Sequence, residues 1–150
     1  MTDTISAEQR SRNMAAIRSR NTGPEVYFRK QLFAQGFRYR LGEKSVPGHP
    51  DIFLRRYNTA VFIHGCFWHR HSGCRYAYTP KSKVEFWQRK FAANLERDQI
   101  VREELKVAGI RRLVIWECTV NAMMKAPAFC EDVIAMASTF LKSDAQELEL

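Results

Sequence analysis

The segment from His64 to Lys83 concentrates histidine, cysteine, tryptophan and arginine, with neither helical nor strand periodicity, and is where this chain has the means to do chemistry. Within it Cys66, His71 and Cys74 are spaced Cys-x4-His-x2-Cys, and a fourth soft ligand, Cys118, ends the strand that follows the next helical pattern. Three thiolates and one imidazole form a closed tetrahedral set for zinc, and closed sets are structural. A loop with so few aliphatic residues cannot hold itself by burial, so a zinc staple to Cys118 would have a physical task. The competing reading is that Cys66 and Cys118 are ordinary buried thiols and Cys74 is incidental. Cys130 lies inside a later helical pattern and reads as core.

A second group combines oxygen and nitrogen. Asp51 opens one short apolar run and His64 closes the next, so pairing of the two runs brings a carboxylate and an imidazole together beside the Ile63 carbonyl. Such a cluster suits Mg²⁺, which keeps several waters and takes only one or two protein carboxylates. An Asp after Pro at the start of a strand is otherwise plain turn chemistry. Asp98 adds to the case, because an ionised carboxylate on the inner stripe of a helix needs a partner. A histidine of the 64–71 loop is the available kind, and His69 with Asp98 would make a histidine oriented by a carboxylate, the usual form of a general base.

These groups need elements to position them. Ser6 with Gln9 reads as a capping box opening a helix to Ser19, and Thr22 with Glu25 opens a second that Gly36 ends, with Val26, Phe28, Leu32 and Phe33 on its apolar side. Phe37, Tyr39 and Leu41 alternate with Arg38 and Arg40 as a half-exposed strand, followed by a loop from Gly42 to Pro50. Asp51 to Leu54 and Ala60 to Ile63 form a hairpin around a Tyr57-Asn58 turn at the centre of a sheet. Ser82 with Glu85 opens a long helix to Gly109, whose inner stripe is Trp87, Phe91, Asn94, Asp98, Val101 and Leu105. Arg111 to Trp116 is a further strand and Pro127 to Leu141 a closing helix. One helix crossing between strands implies an α/β sandwich: a mixed sheet covered on both faces, with a right-handed crossover.

With 150 residues, 45% hydrophobic, the chain has the size of one compact domain, taken here as residues 1–150. Its formal charge of +8 is unevenly spread, +12 over residues 1–125 and −4 over residues 126–150, an acidic helix and tail. A polyanion such as nucleic acid is the first partner to consider. No run approaches a membrane span and the N-terminus lacks the apolar centre of a secretory signal, so a cytoplasmic protein without membrane partners is expected. In a reducing compartment four cysteines are thiols or metal ligands rather than disulfides.

Six segments in consistent order carry a resemblance: Arg-Ser-Arg-Asn-Met14, Pro-Gly-His-Pro-Asp51, Val-Phe-Ile-His-Gly-Cys-Phe-Trp-His69, Glu-Phe-Trp87, Asn-Leu-Glu-Arg-Asp98 and Val-Ile-Trp-Glu-Cys118. Together they resemble the very-short-patch repair mismatch endonucleases, a zinc-containing branch of the restriction-endonuclease-like fold. The resemblance implies an enzyme that recognises a T:G mismatch, left by deamination of 5-methylcytosine, and nicks one strand 5′ of the T with Mg²⁺. It makes Asp51 the principal Mg²⁺ carboxylate, the Ile63 carbonyl a second ligand and His64 a phosphate-side helper. His69 with Asp98 would activate water, and Glu25 would sit at the catalytic edge. Phe67, Trp68 and Trp87 would enter the DNA as a wedge, with Met14, on a DNA-contacting helix within residues 1–20, approaching from the other groove. Double-stranded DNA would be the partner of a monomer, associated with the nucleoid when bound. The acidic-x-Lys pair of the wider nuclease fold is replaced by Phe62-Ile63-His64, which assigns water activation to histidine. The alternative is a zinc-stabilised DNA-binding module without catalysis; it leaves Asp51, His64, His69 and Asp98 unexplained.

Overall fold

A computed structural model describes Ser6, Glu8, Gln9 and residues 21–150. Ser6 Oγ accepts the Gln9 N–H at 3.1 Å, as the first capping box requires; the rest of that expected helix, Met14 included, lies outside the described residues. The elements in chain order are α1 (Gly23–Ala34), β1 (Ile52–Leu54), β2 (Thr59–His64), α2 (Val84–Val107), β3 (Arg111–Trp116), α3 (Glu117–Lys125), α4 (Pro127–Leu141) and β4 (Glu147–Glu149). The four strands form one mixed sheet in the order β1-β2-β3-β4. β1 and β2 pair antiparallel with Ile52 opposite Val61. β2 and β3 pair parallel from Thr59 opposite Arg111 to His64 opposite Trp116, and α2 is the crossover between them.

Strand alternation assigns every side chain a face. Ile52, Leu54, Val61, Leu113 and Ile115 point to one core with Phe28 and Leu32 of α1, Val120 and Met123 of α3 and all the buried residues of α4. Ala60, Phe62 and Val114 point to the other, against Leu105 and Val101 of α2. β2 is covered on both sides, which is why it reads as a continuous apolar run. His64, Arg112 and Trp116 belong by parity to the α2 face, so the side on which α2 lies is the side that receives polar groups. The architecture is the expected helix-covered α/β sandwich. Among the described residues no helix is long and apolar enough to cross a membrane.

Four local expectations need correction. Residues 37–41 form no strand: Arg40 makes a single bridge to Phe53, with Phe37 buried but Leu41 47% exposed, so the alternation lacks a surface to cover. Ser82 does not cap α2; Lys83 precedes the helix in left-handed conformation (φ 52°) without a side-chain cap bond. Cys118 lies in the first turn of α3 rather than at a strand end, because α3 follows β3 directly and buries Val120 and Met123. The acidic tail is structured: Glu147–Glu149 pairs parallel with β3, Arg112 opposite Glu147, and Trp116 N–H reaches the Leu150 carbonyl at 2.9 Å. Glu147 accepts from both Arg102 of α2 and Arg112, tying the tail to the crossover helix.

Candidate active site

The sulfur and nitrogen ligands converge. One donor atom from each of Cys66, His71, Cys74 and Cys118 lies within 4.8 Å of the others, with Cys66 buried and the rest half-buried. Tight turns build the set: His71 N–H donates to the Cys66 carbonyl at 3.0 Å and Cys74 N–H to the His71 carbonyl at 3.2 Å, while Cys118 Sγ lies 3.4 Å from His71 Nδ1. All four cysteines are free thiols. Burial, and hydrogen bonding among the crowded sulfurs, push the Cys66 thiol up to about 12. A divalent cation reverses that, since it binds the thiolate. Three sulfurs and one imidazole within this radius fit a tetrahedral ion and leave no position open. Cys130 is core, 8% exposed, with Tyr27 Oη 3.3 Å from its sulfur.

The oxygen and nitrogen group converges as well, in a cleft of about 470 Å³ at the end of the sheet. Asp51 Oδ2 accepts the Ile63 N–H at 2.7 Å, which locks the carboxylate beside β2. Gly48 makes this possible: its φ is +81°, and a Cβ there would lie 2.5 Å from Val101 Cγ1, so only glycine lets the preceding loop seat on α2. Burial raises the Asp51 carboxyl to about 7; the Ile63 N–H works against this, and the hydrogen-bonded Glu25 carboxyl adds to it. Glu25 is 7% exposed. Its backbone N–H meets Thr22 Oγ1 at 3.4 Å, as a helix cap requires, but its carboxylate accepts from the Asn21 N–H at 2.8 Å. It is thus both a cap and a wall of the cleft.

His64 is 8% exposed, and burial, followed by the neighbouring His69, lowers its pKa to about 3, so it is a neutral imidazole. The His64 and His69 rings stack 3.9 Å apart at 5°. His69 Nδ1 lies 2.7 Å from Asp98 Oδ2. The two polar interruptions of the α2 stripe now have partners: Asp98 holds His69, and Asn94 Nδ2 donates to the Trp68 carbonyl at 3.3 Å. Trp116 links the two centres, stacked on His71 at 4.1 Å and edge-on to His64 at 5.3 Å.

Phe67 is the hub of an aromatic cluster, its ring 5.2 Å from Trp68, 5.5 Å from Trp87 and 5.2 Å from Phe91. Phe67 and Trp68 are half-buried, while Trp87 is 7% exposed. Sequence reasoning missed Arg97, Arg112 and Glu117, which also line the cleft. Parity with Val114 on β3 was the available signal for Arg112; Glu117, raised by burial, follows that strand directly.

A helix-covered mixed sheet with Asp51 beside its central strand, and with Glu25, His64, His69 and Asp98 in the same cleft, has the architecture expected of the restriction-endonuclease-like class. The chain belongs to the DNA mismatch endonuclease Vsr family, which its residues 2–75 match. It is 46% identical to the type II nicking enzyme V.NmeAIP of Neisseria meningitidis over 88% of this chain and 91% of that protein. It is 43% identical to the type II nicking enzyme V.XorIIP of Xanthomonas oryzae over 81% of this chain and 88% of that one. The DNA mismatch endonuclease Vsr of Escherichia coli is 38% identical over 83% of this chain and 80% of its own length.

Proposed function

We propose that this endonuclease nicks one strand of duplex DNA 5′ of the T in a T:G mismatch, using Mg²⁺, as a cytoplasmic monomer that joins the nucleoid when bound. The 2.7 Å contact between His69 and Asp98 in the cleft that also holds Asp51 carries this reading. Asp51 and the Ile63 carbonyl would hold the ion, with Glu25 at its edge; the locked carboxylate and the neighbouring strand oxygen suit a hard cation. Bound there, Mg²⁺ supplies polarisation of the scissile phosphate and stabilises the charge that develops on it.

The remaining steps belong to the chain. With Nδ1–H donated to Asp98, His69 presents a lone pair at Nε2 that takes a proton from the attacking water. His64, kept neutral by burial, donates one ring N–H toward the phosphate side and holds His69 by stacking. Cys66, His71, Cys74 and Cys118 would hold a structural zinc that fixes the loop carrying His69. Phe67 and Trp68, with Trp87 behind them, form the wedge that enters the stack where it is weakest, and Met14 meets it from the opposite groove. A mismatch lowers the cost of separating a base step, so the wedge also senses the lesion. The test is a strand-labelled duplex with one T:G pair, incubated with Mg²⁺ or with none. A single nick 5′ of the T, absent without Mg²⁺ and far slower on the T:A duplex, is expected. Binding without any cut would instead establish the non-catalytic module.

A further inference from the structure

Arg70 stands between His69 and His71, one from each centre, yet its side chain joins neither. Its backbone is left-handed (φ 53°), which turns the side chain away from both clusters and into the chain that follows. There Nη1 donates to the Phe67 carbonyl and to the Tyr78 carbonyl, both at 3.1 Å. Nη2 donates to the Ala77 carbonyl at 2.7 Å and to Thr79 Oγ1 at 3.3 Å. The guanidinium carbon lies 3.8 Å above the centre of the Phe91 ring and 5.8 Å from that of Phe67. One planar cation thus gathers the two halves of the loop and the first half of α2 around the aromatic cluster. Tyr78, whose carbonyl it holds, packs its ring 5.3 Å from Phe67.

The Cys/His set pins only one side of this loop. Residues 77–79 carry no metal ligand; beside the Ala77 N–H bond to the Cys74 carbonyl at 3.1 Å and the Tyr78 ring against Phe67, they are held by this fork of hydrogen bonds, with a charge facing an aromatic ring. A lysine keeps the charge but has neither the plane nor the paired donors to make the same contacts.

We propose that Arg70 is a positioning residue for mismatch discrimination: it holds Phe67, and through it Trp68 and Trp87, as a preformed aromatic platform. The proposal rests on the wedge reading above. A platform already in place spends none of its binding energy on being ordered, so the gain is largest on the duplex whose step opens most easily. Arg70 itself touches neither the cleft nor the Cys/His donors.

The experiment compares wild type, Arg70→Lys, Arg70→Ala and Trp68→Ala, each with its zinc content, near-ultraviolet circular dichroism and kcat/KM on T:G and T:A duplexes. Arg70→Lys should keep one zinc per chain, lose amplitude in the aromatic dichroism bands, and lower the T:G to T:A ratio about tenfold. Arg70→Ala should lower it at least as far. An unchanged ratio in Arg70→Lys overturns the proposal, and so does joint loss of zinc and cooperative unfolding in that mild variant, which would make Arg70 a staple of the fold. Trp68→Ala separates the two levels: if it leaves the ratio intact, the wedge reading fails whatever Arg70 does. If it lowers the ratio while Arg70→Lys does not, only the role of Arg70 fails.

Discussion

Replacing Asp51 by asparagine should stabilise the protein when no Mg²⁺ is present, and by an amount that depends on pH. The Asp51 carboxyl rises from its usual 3.8 to about 7, first through burial and then through Glu25. An unfolded chain ionises this group near 4, whereas the folded chain keeps it protonated to near neutrality. Folding is therefore opposed increasingly as pH rises through this window, and the opposition levels off above the folded value. Three pK units correspond to an upper bound of about 4 kcal/mol, and roughly 1–3 kcal/mol is the expected gain because Glu25 relaxes as well. Asparagine retains an oxygen for the 2.7 Å bond from Ile63 N–H, so no hydrogen bond is lost. His64 slopes the other way: its pKa falls from 6.5 to about 3, so stability is lost as pH drops below the unfolded value. In wild type the two slopes offset each other over the acidic range; in Asp51→Asn the His64 slope stands alone. Denaturant unfolding in zinc-replete, Mg²⁺-free buffer at several pH values measures this. The advantage of the variant over wild type should grow by at most about 1.4 kcal/mol per pH unit between about pH 4 and 6, more slowly towards pH 7, flatten by pH 8, and shrink when Mg²⁺ is added, because only wild type binds it. A difference that is constant with pH would refute the reasoning, since it would mean that Asp51 is ionised in the free protein.

Cys66→Ser or Cys118→Ser should lose the single zinc together with cooperative folding, as structural zinc is worth about 10 kcal/mol or more; metal analysis beside a thermal melt reads both. His69→Ala should cut nicking by roughly 10² to 10⁴ with zinc retained, and Asp98→Asn by less, in single-turnover assays on the mismatched duplex. Loss of zinc from His69→Ala would instead place His69 in the metal set. Gly48→Ala should destabilise by about 1–3 kcal/mol and weaken Mg²⁺-dependent nicking, because a Cβ facing Val101 at a positive φ lifts the loop that presents Asp51. Unfolding in denaturant gives the first effect; a normal midpoint would show that the loop yields freely.

What the sequence made legible followed physical periods. The i+3, i+4 stripe from Trp87 to Leu105 stated which face of α2 turns inward, and its two polar interruptions, Asn94 and Asp98, marked where that helix grips the loop carrying Trp68 and His69. Two apolar runs flanking Asn58, which adopts the left-handed turn conformation, were sufficient for the hairpin that seats Asp51 beside Ile63. Ligand types and spacing brought Cys66, His71, Cys74 and Cys118 together across more than forty residues because few other uses combine those side chains. Where pattern was shorter than a period, it failed. The alternation at Phe37, Tyr39 and Leu41 looked like a strand without a neighbour to pair along its length, and α3 was hidden because it begins on the residue after β3. β4 had its signal in the alternation of Glu147, Leu148, Glu149 and Leu150, obscured by the acidic charge of the tail. Arg112 and the fork of Arg70 depend on tertiary neighbours that no local window contains.

Asp51 is assigned here to the cut and not to the grip, and Asp51→Ala tests that assignment when binding and nicking are measured on the same T:G duplex at fixed salt. Contacts to phosphates elsewhere would supply the affinity. The variant should bind within about threefold of wild type and leave both strands intact with Mg²⁺ present. Nicking at a rate near wild type would contradict the assignment of the ion to Asp51, and with it the account of the cleft.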